Sequence, residues 1–248
     1  MANSNENKGP IAELVFGVQF DGPFLSNEQI FEFYQTVKET YPTVQEDSPL
    51  PNIVEKLDGP AETRILQGFS PRKMFFNKTS SKLVQIQRDR FCFNWRKTEK
   101  LGEYPFFKSV FKEFLSNFSL IPNQTLVPAK VNQLELTYVD HVYVKDFDLS
   151  DFNPTSIFNM YKFEQAIKNF DHTLHFPNDK INGTLIFHLK SALTREKAPK
   201  KVLVLETTCR GFNKNLTLEK WFEEAHDILY NFFVAITTSK AKEKWGLS

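Results

Sequence analysis

Between Lys82 and Lys97 the chain reads KLVQIQRDRFCFNWRK, alternating apolar and polar positions with one interruption at Arg88-Asp89. Side chains alternate across a strand, so this pattern predicts a β-hairpin turning at Arg88-Asp89. The pairing that follows is Gln87 with Arg90, Ile86 with Phe91, Gln85 with Cys92 and Val84 with Phe93. Val84, Ile86, Phe91, Phe93 and Trp95 then share an apolar face. The opposite face carries Gln85, Gln87, Arg90, Cys92, Asn94 and Arg96, and is polar and cationic.

The same reading extends along the chain. Ile11 to Phe20 forms a strand with Leu14, Phe16, Val18 and Phe20 on one side, ended by Asp21-Gly22-Pro23. Ser26 followed by Gln29 is a capping box for a helix bearing Ile30, Phe33, Tyr34, Val37 and Tyr41 at helical spacing, and Pro42 stops it. Thr43 to Pro60, rich in acids and proline, reads as a loop. Strands are expected at Arg64 to Phe69 and Arg72 to Asn77 before the hairpin. Tyr104-Pro105 then starts a second helix with Phe107, Val110, Phe111, Phe114, Leu115 and Phe118 along its apolar stripe.

A similar order follows the junction from Ser119 to Lys130. It comprises a strand from Val131 to Lys145, a helix over Thr155 to Lys168 capped by Asn153 or Thr155, and strands at His172–Phe176, Ile181–Lys190 and Lys201–Arg210. Thr217 caps a closing helix with Trp221, Phe222, Ala225, Leu229, Phe232, Phe233 and Ile236 on its apolar side. The expected fold is therefore α+β with two similar halves, each strand, helix, antiparallel meander, helix, with helices packed on one face of the sheet and the two units either joined at their edges into one curved sheet or packed side by side. The boundaries are a loose tail at 1–9, a first half at 10–122 and a second half at 123–248.

Composition adds an unusual 26 Phe, against 3 Met and 3 Trp. Phe has no polar handle, so most of these rings must be buried to hold layers together. Net charge is only +1, so no global field draws the chain to nucleic acid or membrane. Acids dominate from Glu28 to Glu62 and bases from Arg72 to Lys100, giving two surfaces of opposite sign. The polar start MANSNENKGP and the absence of a membrane-length apolar run point to a cytoplasmic protein with no membrane partner. Two cysteines, Cys92 and Cys209, make no disulfide framework.

Catalytic motifs are absent. The chain has no Gly-x-Ser-x-Gly elbow, Walker A loop, dinucleotide fingerprint or zinc-helix pair, so no cofactor and no catalytic residue is assigned. His172, His175 and His188 do not make a metal set, because His172 and His175 would point to opposite faces of a strand. His226 falls on the apolar side of the closing helix, as a buried, hydrogen-bonded histidine; a hydrolase or nuclease using it would need a deep pocket joining it to a second polar group. Phe147 and Phe152 beside Asp146, Asp148 and Asp151 read as an acidic-aromatic loop or a capped turn. The binding candidates are Arg88, Arg90, Asn94 and Arg96 on the hairpin, since guanidinium forks and amides suit phosphate, base edges or partner carboxylates. Trp245, in the basic tail SKAKEKWG, either folds back as a lid or docks into a neighbour.

Pro10-Ile11-Ala12-Glu13, the QIQRDRFCFNW core of the hairpin, Tyr104-Pro105-Phe106, Leu134 to Tyr138 (LELTY), Trp221 to His226 (WFEEAH) and Trp245 span nearly the whole chain. Together they resemble a sporadically distributed, functionally uncharacterised bacterial protein family of about this length. The resemblance implies no active site. Its patchy occurrence implies an accessory component of a bacterial phage-defence system. The function expected is thus a non-catalytic binding module acting through a protein partner or as a homo-oligomer. The alternative is a nucleic-acid or nucleotide-binding protein using a curved antiparallel sheet.

Overall fold

A computed structural model of the chain describes residues 9–56, 59–64, 71–98, 103–122, 126–143, 152, 169, 171–194 and 198–245. In chain order these form β1 (Ile11–Phe20), α1 (Asn27–Val37), β2 (Thr43–Asp47), β3 (Asn52–Lys56), β4 (Gly59–Arg64), β5 (Arg72–Phe76), β6 (Lys82–Gln87) and β7 (Arg90–Arg96). There follow α2 (Phe107–Phe118), α3 (Val127–Lys130), β8 (Val131–Tyr143), β9 (Asp171–Asn178), β10 (Gly183–Leu193), β11 (Lys201–Gly211), α4 (Leu218–Ile236) and α5 (Ser239–Trp245).

Nine strands build one antiparallel sheet in the order β2-β5-β6-β7-β1-β8-β11-β10-β9, and β3 pairs with β4 separately. The expected pair of similar halves with helix-packed meanders is therefore corrected. β1 and β8 lie side by side at the centre of a single large sheet, with Phe16 opposite Leu136. The contributions to the sheet are unequal, five strands from β1 to β7 and four from β8 to β11, and the β3–β4 hairpin stands outside it. Separate halves would leave β1 and β8 as long apolar edges, and pairing them satisfies both rows of backbone groups. The predicted loop over Thr43–Pro60 is also corrected, since β2 and β3 lie within it. β2 is held by charge rather than by an apolar stripe: Asp47 pairs with Arg72 at 2.8 Å and Glu46 with Lys73. The acidic and basic runs of the sequence meet here.

Other local expectations hold. The hairpin register is as predicted, and Val84, Ile86, Phe91, Phe93 and Trp95 are buried. Ser26 and Gln29 make the reciprocal capping box of α1, and Thr217 caps α4 through the Lys220 amide. The start of α2 is corrected: it begins at Phe107 with Phe106 as its cap, so Pro105 precedes the helix and does not occupy its first position. The helix expected at Thr155–Lys168, all of the Arg64–Phe69 strand except Arg64, and the acidic positions Asp146, Asp148 and Asp151 with Phe147 lie outside the described residues.

One face of the sheet is aromatic and carries α1, α2 and α4. Phe16 of β1 lies within 4.9 Å of Phe114 and 5.4 Å of Phe222, ring centre to ring centre, which ties both long helices to the central strand. The other face is polar, and β3 runs across it as a strap. Leu50 exchanges hydrogen bonds with Gln87 of β6, and the Pro51 carbonyl accepts from Arg90 of β7. Ile53 exchanges two with Gln19 of β1. The Glu55 amide donates to Gln133 of β8, and its carboxylate meets Arg210 of β11 and Thr184 of β10. Successive strap residues thus address six adjacent strands in order. Five steps of extended chain cover about 17 Å, whereas six strands span about 24 Å. Long side chains (Gln19, Gln87, Arg90, Gln133 and Arg210) close that difference.

Candidate functional site

The polar hairpin face is occupied by internal bonds. Arg90 donates to Gln19 and to the Pro51 carbonyl beneath the strap. Asn94 is buried, accepting from Gln85 at 2.8 Å and donating to Glu13 at 2.7 Å. Arg88 donates to the Leu25 carbonyl at 3.3 Å. Arg96 keeps nearly half of its side chain exposed and lies 3.8 Å from Glu13. Beside them, Glu135 is flanked by Arg210 at 2.6 Å. Burial pushes the Glu135 carboxyl up, but the Arg210 and Arg90 charges more than offset this and hold it below the usual carboxylate range.

Trp245 is buried. It ends α5, which folds back so that the indole stacks on Phe233 at 5.7 Å and meets Phe152 at 6.4 Å. Arg96 and Trp245, chosen from distant parts of the sequence, come together on the lining of a small cavity of about 400 Å³ with Glu13, His141 and Lys244. Cys92 and Cys209 are buried, and burial pushes the Cys92 thiol up to about 12 and Cys209 higher still, so neither is a poised nucleophile. His188 pairs with Asp171 at 2.8 Å.

A larger concavity lies on the aromatic face, between α2 and α4 and over β8 and β11, with a volume of about 1000 Å³. Phe107, Phe111 and Leu115 of α2 and Leu229 and Phe233 of α4 supply its apolar walls. Lys108 and Lys112 stand on one side and Glu223 and Asp227 on the other. Phe106 and Tyr230 line it with rings that are 65% and 48% exposed. Phe106 holds φ 65° and ψ 150°, a backbone region nearly restricted to glycine, at the residue that caps α2.

The polar groups of this cleft converge on its floor. His226 stacks face to face on Phe107 at 4.0 Å and shares a 2.9 Å hydrogen bond between Nδ1 and the Tyr138 hydroxyl. The Tyr138 hydroxyl lies 3.3 Å from that of Tyr104. Burial lowers the His226 pKa, with Asp227 opposing it weakly, so the ring is neutral near pH 7. Two residues beyond Tyr138 on the same side of β8 sits Asp140, only 3% exposed. Its Oδ1 has no hydrogen-bond partner, and burial pushes the carboxyl up to about 7. Asp140 faces Ile11 across a β-bulge in which Ala12 is the extra residue, a device that re-aims side chains beside sites.

His226 makes the expected hydrogen bond but is half-buried in the lining of the cleft instead of buried, and Asp140, Tyr138, Tyr104 and Phe106 were not marked as site residues. A signal for Asp140 was present. Leu134, Leu136, Tyr138, Asp140 and Val142 occupy the inward register of β8, and Asp140 is the lone acid among them. No group of three or more metal-ligating side chains occurs among the described residues, and no described helix is long and apolar enough to cross a membrane. No family model matches the sequence, and comparison with curated proteins gives no match.

Proposed function

We propose that the chain is a non-catalytic binding module whose recognition element is the aromatic cleft between α2 and α4. The observation that supports this most directly is a cavity of ligand size, about 1000 Å³, with apolar walls and a few converging polar groups at its floor. The hairpin residues Arg88, Arg90 and Asn94 are engaged within the fold, while Arg96 keeps nearly half of its side chain exposed for contact with a protein partner. The nucleic-acid reading draws less support, because the strap lies over the polar sheet face it would use.

The test is titration with the neutral fluorescent probe N-phenyl-1-naphthylamine. Saturable binding of one equivalent is expected, weakened roughly fivefold or more in the Phe106→Ala/Tyr230→Ala double variant. Equal binding by that variant, or no saturable binding by the parent, overturns the reading. A second reading, a proton-transfer enzyme, is favoured by Asp140 lying beside the Tyr138–His226 pair in one cleft. It requires turnover that is lost in both Asp140→Asn and His226→Gln.

A further inference from the structure

We infer that the cleft takes an organic amine, with its ammonium group on Asp140 and an apolar or aromatic body between α2 and α4. This rests on the binding-cleft reading above and assigns the ligand class to it. Asp140 is buried where it lines the cavity, and its Oδ1, itself shielded from solvent, accepts nothing. A buried acceptor without a donor costs free energy that an incoming donor recovers, and a charged donor recovers most. The chain does not provide that donor: among the described residues no lysine or arginine pairs with Asp140, although Lys108 and Lys112 line the same cleft.

The surroundings select the ligand further. Tyr104, Tyr138 and the largely exposed Phe106 bring aromatic rings to the lining of the cleft, and such rings attract a desolvated cation. Beside Asp140, among the described residues, the Tyr104 and Tyr138 hydroxyls and the His226 imidazole are already linked in one chain. An anionic ligand would meet Asp140 with no compensating cation at that depth. A neutral apolar ligand would fill the walls and leave Oδ1 unmet. An amine satisfies both parts of the site.

The inference is tested by NMR titration of the whole chain with three probes of similar shape, 2-phenylethylamine, 2-phenylethanol and phenylacetate, at a pH where Asp140 is ionised. The amine is expected to shift Tyr138 and His226 resonances and to bind roughly tenfold more tightly than the alcohol, with the carboxylate weakest. In Asp140→Asn the preference for the amine over the alcohol should be lost. Equal affinities in the parent, or an amine preference that survives Asp140→Asn, overturn the amine assignment and leave the cleft reading standing. No shift at Tyr138 or His226 with any probe overturns both.

Discussion

The two faces of the central sheet handle polar side chains in opposite ways. On the strapped face, polar groups are numerous and bonded to one another: Gln85 to Asn94, Asn94 to Glu13, Asn52 to Asp89, Arg210 to Glu135 and Glu55. On the helix-covered face they are few, and two buried atoms there, Asp140 Oδ1 and Trp95 Nε1, are unmet. Richness in hydrogen-bonding groups is thus a poor guide to function here. The polar surface closes largely on itself, with Arg90 Nε and Gln133 Nε2 left over, whereas the aromatic surface opens into a cleft with Asp140 buried in its lining and Lys108, Lys112, Glu223 and Asp227 around it.

The sharpest way to break this comparison is Arg210→Ala. It leaves Glu55 and Glu135 without their cation under the strap and should cost about 3 kcal/mol in urea unfolding. A variant that unfolds at the parent's midpoint would mean the polar face is not structural. Asp140→Asn tests the opposite face. A carboxyl whose pKa rises on folding binds its proton more tightly in the folded state. Its contribution is fullest below the unfolded value of about 3.9 and is lost as pH climbs through about 7. The parent should therefore lose about 3 kcal/mol relative to Asp140→Asn between roughly pH 5 and pH 8. Parallel stability curves for the two proteins would show that Asp140 is not held in a desolvated state. The smallest effect is expected for Phe106→Gly, which relieves a positive φ on a largely exposed ring and should stabilise the chain by about 1 kcal/mol. Destabilisation would show that the Phe106 ring, and not its backbone, is the element that matters.

Much of the fold was legible where one face alone is buried. The alternation around Arg88-Asp89, the Ser26/Gln29 cap and the Phe107–Phe118 stripe each specify an element by local chemistry, and each is found as read. The joining of β1 to β8 was not legible, because both strands present the same apolar pattern whichever partner they take. β2 and β3 were missed because their partners are charges and amides distant in sequence. The site suffered from the same limit. Asp140 stood out of register among apolar neighbours, but only the approach of α2 and α4 makes a cleft around it. The emphasis on the hairpin arginines followed from reading polarity as availability.

The strap has a consequence for how the chain comes into being. Its residues are synthesised before β5, yet Glu55 finds its hydroxyl donor 129 positions later at Thr184 and its guanidinium 155 positions later at Arg210. The Leu50–Ile53 end of the strap meets its partners Gln87, Arg90 and Gln19 as soon as β7 has emerged, whereas the Glu55 carboxylate has no partner until β10 and β11 are made. The two ends of one segment are thus completed at opposite ends of synthesis.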